Sequence, residues 1–172
     1  MLLQEIRAKQ AMKELNYNAD IKINHQEPTT TIGDREYTLV FPKKMFEYSE
    51  GINKEVDLLF IGNMTASRKL FLSKFPNAKI IASRRGRDPK IKEYDDWYFN
   101  EMSKAKFVLC PDGDFVWTYR FFESIIFKAI PVIEHTCKHY LPYKYYKQGD
   151  TLKYCSDIVE SNFNILKQNM TL

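Results

Sequence analysis

No stretch of this 172-residue chain approaches the roughly 18 apolar residues that a membrane-spanning helix needs, so no membrane span is expected. Cysteine is scarce. Cys110, Cys137 and Cys155 are odd in number, widely spaced and without a C-x-x-C pair, which argues for reduced thiols rather than a disulfide framework or a zinc site. Glycine and proline number only six and seven, and there is neither an internal repeat nor a low-complexity tract. Charge of one sign is also lacking. A net +4 suits an anionic partner but falls short of a dedicated nucleic-acid binder. The N-terminus, MLLQEIRAKQAMKEL, carries charges throughout and has no signal-peptide apolar block, so a cytoplasmic setting is the expectation. With 44% hydrophobic and 28% charged residues, the composition is that of a folded domain with an ordinary core.

What is present is a change of rhythm at Glu55. Before it, residues 1–15 keep helical spacing through Leu2, Ile6, Met12 and Leu15. Ile21 and Ile23 alternate in a short strand, Pro28, three threonines and Gly33-Asp34 read as a turn, and EYTLVF reads as a second strand that Pro42 ends. From Glu55 the apolar runs VDLLFIG, AKIIAS, KFVLC and IPVIE alternate with helical stretches RKLFLSKF, YDDWYFNEMSKA and TYRFFESIIFKA. Continuous apolar runs suit strands buried on both faces, and their alternation with helices predicts an α/β, Rossmann-like parallel sheet. A final helix is expected from Ser156 to Gln168, with Ser156 as its N-cap. Residues 1–54 and 55–172 are thus expected to be two unlike units.

In an open parallel sheet, ligands bind beyond the carboxyl ends of the strands. The loops there hold Gly62, Asn63, Thr65, Ser67 and Arg68 after the first run, then Arg84, Arg85 and Arg87 after the second. Asp112-Gly113-Asp114 follows the third and leads into a helix with Arg120 and Glu123 one turn apart. Clustered arginines and backbone amides favour a phosphate or diphosphate, and a neighbouring carboxylate suits sugar hydroxyls.

The segment SKAKFVLCPDGDFVWTYRFFESIIFKAIPVIEH resembles the signature of the exostosin-like glycosyltransferases: a strand ending in Cys-Pro, a Gly-containing loop, an aromatic-Arg-x-x-Glu helix and an Ile-Pro-Val strand. LLFIGNMTASRK and ASRRGR are similar to the same domain, so the resemblance covers about Glu55 to His135. It implies the donor-binding half of a GT-B fold, a nucleotide-diphosphate sugar donor, a saccharide acceptor, and no metal or cofactor. It would give Glu123 the ribose hydroxyls and Arg120 the diphosphate. Asp112, Gly113 and Asp114 would line the donor sugar, Arg84 and Arg85 would reach the diphosphate or acceptor, and Thr65 and Arg68 the phosphates. Many members carry a glycine just before the Ile-Pro-Val strand, where this chain has Lys128-Ala129.

Such enzymes have two domains, and their general base comes from the acceptor domain. Here only about 50 residues precede the donor half; they could be a remnant of the acceptor domain, a reduced one, or a segment that completes the Rossmann half, and they offer His25, Glu27, Asp34 and Glu36 without a choice among them. A second class therefore stands beside the enzyme: a non-catalytic nucleotide-sugar-binding module, or one subunit of a split transferase whose acceptor half comes from a second chain. Plainer readings stand too. Arg120 and Glu123 at i,i+3 could be a surface ion pair, Asp112-Gly-Asp114 an ordinary turn or a D-x-D metal site, and Arg84 to Arg87 a solvated loop. The tyrosines Tyr140, Tyr143, Tyr145 and Tyr146 could stack bases, but packing on the sheet is favoured.

Overall fold

A computed structural model describes residues 2–82 and 95–172. Five strands form one parallel sheet in the order β5-β4-β6-β7-β8, and three more form a small antiparallel sheet, β1-β2-β3. The parallel sheet comprises β4 (Val56–Gly62), β5 (Lys79–Ala82), β6 (Ala105–Cys110), β7 (Ile130–Ile133) and β8 (Tyr146–Lys147). Helices α2 (Ala66–Leu72), α3 (Asp96–Ser103) and α4 (Tyr119–Ile126) lie between its first four strands, and α5 (Ser156–Met170) ends the chain. The four apolar runs after Glu55 are strands, and every pairing in this sheet is parallel. The short β8 is an addition, since its two residues carry no periodic signal.

The first unit contains α1 (Leu3–Glu14), β1 (Ile21–Asn24), β2 (Thr29–Ile32) and β3 (Arg35–Tyr37). Two expectations need correcting here. The three threonines are not part of a turn: Thr29 to Thr31 run inside β2, where Lys22 faces Thr31 on β1 and Thr31 faces Glu36 on β3. EYTLVF joins the sheet only as far as Tyr37. Beyond it Leu39, Val40 and Phe41 are all buried, with Leu39 and Phe41 in the main core and Val40 in the cluster under α1. Alternation of period two is here used to bridge two cores, and the Phe41 amide donates to the Met170 carbonyl at 2.7 Å instead of to a strand.

The two units share this core. Leu39, Phe41, Met45 and Phe46 pack in one cluster with Phe99, Phe121, Phe122 and Leu166. Arg7, only 3% exposed on α1, lays its guanidinium over the Phe99 ring of α3 at 5.3 Å. The Glu14 carboxylate accepts the Lys43 and Lys44 amides at 2.7 and 3.0 Å, at the start of a 3-10 turn.

Helix ends show local chemistry that strings of letters conceal. Cys155, not Ser156, occupies the N-cap position of α5, because the Cys155 carbonyl accepts the first helical bond, from Val159. At the end of α4, the Lys128 amide bonds to Ile125 and the Ala129 amide to Ser124, the double bond of a Schellman cap. Lys128 sits at φ +58°, so a glycine there would answer a backbone requirement, which Lys128 meets with an ion pair to Glu160 and a contact on Phe163.

Lys54 draws the ends of two helices together, its Nζ donating to the Ser103 and Phe127 carbonyls at 2.8 and 2.7 Å. Burial, reinforced by the Lys128 charge, lowers its pKa to about 7. Between about 7 and the ordinary lysine value of 10.5, the unfolded chain holds a proton here that the folded chain lacks. Stability contributed by this group is therefore lost as pH falls through that window and gained as pH rises. Urea denaturation at pH 7, 8 and 9 is expected to show the midpoint climbing in the wild type. Lys54→Met should flatten the climb, and an equal slope in both proteins would refute the assignment.

Candidate functional site

Strand order fixes where the site lies. From β4 the chain crosses to β5 on one side and then to β6 on the other, so the crevice between β4 and β6 is the topological switch point. Gly62 ends β4 on one wall, and Cys110 ends β6 on the other, with Asp112 just beyond. Helix α4 enters behind them, its N-cap Thr118 accepting from the Phe121 amide.

Arg120 reaches this crevice from α4. Its Nε donates to the Ile61 carbonyl at 2.9 Å and its guanidinium lies 4.7 Å above the Phe60 ring. It is 8% exposed, and its buried Nη1 has no hydrogen-bond partner among the described residues. A buried guanidinium nitrogen left unpaired is costly, and it is the kind of group an anionic ligand satisfies. Gly62 makes room for it: a Cβ there, at φ +152°, would lie 2.1 Å from Nη2.

Glu123, one turn on, is 4% exposed and accepts the Tyr98 hydroxyl at 2.8 Å. Burial pushes its pKa up, against the pull of Arg7, the Tyr98 hydrogen bond and Arg120. The surface ion-pair reading thus fails for both residues, which are interior. Tyr119, beside them, has a buried hydroxyl without a partner among the described residues and a pKa raised well above the ordinary tyrosine value by desolvation.

The Asp112 loop is held from several sides. Its carbonyl accepts Arg68 Nε at 3.2 Å, its amide donates to Glu134 Oε2 at 3.1 Å, and its Oδ2 meets His135 Nδ1 at 2.7 Å. Oδ1 is buried and has no partner among the described residues. Arg68 also donates to the Asn63 carbonyl at 2.7 Å, tying the loop after β4 to the loop after β6. A Cβ on Gly113 would come within 3.1 Å of Arg68 Nη2, so glycine permits this approach. Thr65 caps α2 by accepting the Arg68 amide. Asp114 is exposed and is not part of the group of carboxylate and imidazole atoms, within 4.8 Å of one another, that Asp112, Glu134 and His135 form. That group could hold a divalent cation, or could orient an imidazole for proton transfer. Arg84, Arg85 and Arg87 lie outside the described residues.

Sequence reasoning missed Tyr98, Glu134 and Arg7. Glu134 stands at a strand end and could have been found there; Arg7 reaches the crevice from more than a hundred residues away.

A second concavity of about 660 Å³ adjoins the site, between the small sheet and the loop after β7. Lys22, Thr31, Glu36, Tyr37 and Thr38 line it, and Glu27 closes it by pairing with His139 and Lys138 at 2.7 and 3.2 Å. Those partners, Lys138 foremost, lower the Glu27 pKa. The β1–β2 turn also touches the Asp112–Trp117 loop, with Trp117 donating to the Gln26 carbonyl at 3.0 Å and His25 packed edge-on against Phe115.

The model of one protein family, the exostosin GT47 domain, matches residues 11–153. The chain belongs to that family. The exostosin GT47 domain is a glycosyltransferase domain, and the match runs from α1 past β8, so it takes in the small sheet as well as the parallel one. No curated protein matches the chain. In this GT47 domain Cys110 is 1% exposed, its thiol pushed up to about 12 by desolvation, which fits a structural role. Among the described residues no helix is long and apolar enough to cross a membrane.

Proposed function

We propose that this GT47 domain transfers a sugar from a nucleotide-diphosphate sugar to a saccharide acceptor, without a metal ion. The observation that carries the reading is the unpaired, buried Nη1 of Arg120 at the switch point, beneath a glycine that leaves it space. A diphosphate supplies the acceptor oxygens this nitrogen lacks, and its negative charge is stabilised most as it departs, when catalysis needs it. Arg68 and Thr65 approach the same phosphates, and Asp112, Gly113 and Asp114 border the donor sugar. Glu123 takes the ribose hydroxyls once the Tyr98 hydroxyl, which holds Oε2 in the free chain, gives way. The polar pocket on the small sheet, with its row Lys22, Thr31 and Glu36, suits the hydroxyl-rich acceptor. Metal independence is supported by the hydrogen bonds within the Asp112 group, where Asp112 Oδ2 and Glu134 Oε2 are already engaged.

A thermal-shift screen of nucleotide sugars tests the reading, since a ligand that binds the folded state raises its melting point by mass action. At least one UDP- or GDP-sugar is expected to raise it by several degrees, and turnover of that donor should persist in EDTA. Turnover that vanishes with EDTA and returns with Mn²⁺ would refute metal independence.

A second reading is a donor-binding module completed by another chain. It is favoured by the modest first unit, which among the described residues is one helix and a three-stranded sheet sharing the main core rather than a second Rossmann-like layer. Donor affinity without any nucleotide release would select it.

A further inference from the structure

We propose that His135 is the general base of the transfer, oriented by Asp112. The assignment rests on the glycosyl-transfer reading above and adds the group that reading lacks. A carboxylate only accepts hydrogen bonds, so the 2.7 Å contact places the imidazole proton on Nδ1 and leaves Nε2 with its lone pair. Asp112 is itself immobilised, by Glu134 at its amide and Arg68 at its carbonyl, and its side chain is 24% exposed against 66% for His135. A fixed, mostly buried carboxylate therefore presents an open imidazole, the base-and-orienter pairing of acid–base catalysis.

Position supports the same role. His135 follows β7 by two residues and Asp112 follows β6 by two, so the pair stands at the carboxyl edge of the sheet, where the Arg120 crevice opens. Four residues further, His139 lines the polar pocket of the small sheet. His135 thus belongs to a loop that runs from the donor side to the acceptor side. Two of the residues offered earlier serve less well: His25 packs on Phe115, and Glu27 is a weakened base, held by Lys138 and His139. His139 has its own Nε2 engaged by Glu27.

In the step, the acceptor hydroxyl gives its proton to His135 Nε2, and its oxygen forms the new bond to the anomeric carbon of the donor sugar. The bond from that carbon to the diphosphate oxygen breaks, and its electron pair leaves with the nucleoside diphosphate beside Arg120. Asp112 stabilises the imidazolium so formed.

The test uses the full chain with water as acceptor and UDP-glucose, UDP-galactose, UDP-N-acetylglucosamine, UDP-xylose, GDP-mannose and GDP-fucose as donor probes. For the donor that binds, nucleotide release and calorimetric affinity are compared in wild type, His135→Ala and Lys106→Gln, a surface control whose side chain pairs with Asp57. His135→Ala should slow release by about 100-fold or more, leave donor affinity unchanged and regain part of the rate in added imidazole. Lys106→Gln should release nucleotide at close to the wild-type rate. If no probe binds the wild type, or one binds without nucleotide release, the glycosyl-transfer reading itself fails. If a probe binds and is turned over, the base assignment alone is overturned by any of three results: wild-type release in His135→Ala, affinity falling in step with rate, or an equal loss in Lys106→Gln. A dependence on Mn²⁺ that His135→Ala abolishes would make the group a metal site and overturn it equally.

Discussion

Gly62→Ala is expected to lower the melting temperature by about 10 °C and to abolish nucleotide-sugar affinity together. At φ +152° an alanine is strained by about 1–3 kcal/mol, whatever surrounds it. Its Cβ would also lie 2.1 Å from Arg120 Nη2, so the guanidinium must leave. That movement breaks the buried bond to the Ile61 carbonyl and the contact on Phe60, adding about 1–3 kcal/mol. A total of roughly 3 kcal/mol corresponds to about 10 °C in a chain of this length. Gly51→Ala is the control, since it carries the same kind of strain at φ +67° with nothing within 4 Å of the new atom. It should cost about 1 kcal/mol and leave donor binding intact. Arg120→Ala should copy the binding loss. Calorimetry showing wild-type donor affinity in Gly62→Ala would remove Arg120 from the site.

Phe121→Ala should cost about 3–5 kcal/mol by urea denaturation, the usual range for a deleted core aromatic. Phe121 is fully buried and stacks on Tyr140 at 3.7 Å between centroids, with Phe122, Tyr143 and Tyr145 packed against it edge-on. Tyr140 in turn accepts the Thr118 amide and donates to the Val116 carbonyl, holding the loop that runs from Asp112 into α4. The substitution should therefore weaken donor affinity as well as stability, although Phe121 is remote from solvent. A loss under about 1 kcal/mol would mean that the core closes over the gap.

The same cluster settles the tyrosine-rich segment. Tyr140 is 0% and Tyr143 6% exposed, so neither ring can serve as a stacking platform for bases. Apolar content and interleaved lysines pointed to packing, and packing is what these two side chains do.

The order of strands and helices after Glu55 was legible because each strand is a continuous apolar run and each helix a compact stretch between turn residues. The threonine strand β2 was not, since Thr29, Thr30 and Thr31 gain their sheet only by pairing with β1 and β3. Arg120, Glu123, Asp112 and Arg68 were readable as candidate site residues because strand-end loops are where a parallel sheet presents chemistry. Their state was not. Whether Arg120 and Glu123 pair on a surface or lie unmatched inside depends on which face of α4 is covered, and the covering groups come from Phe60, Tyr98 and Arg7.

By itself, then, the sequence determined an α/β domain with arginines and carboxylates at its strand-end edge, since periodicity and charge are local properties that survive without a fold. The tertiary structure alone decided the switch point between β4 and β6, the open Nη1 beneath Gly62 and the Asp112–His135 pair. Each of these joins residues 23 to 58 positions apart, and only the packing of the sheet brings such positions together.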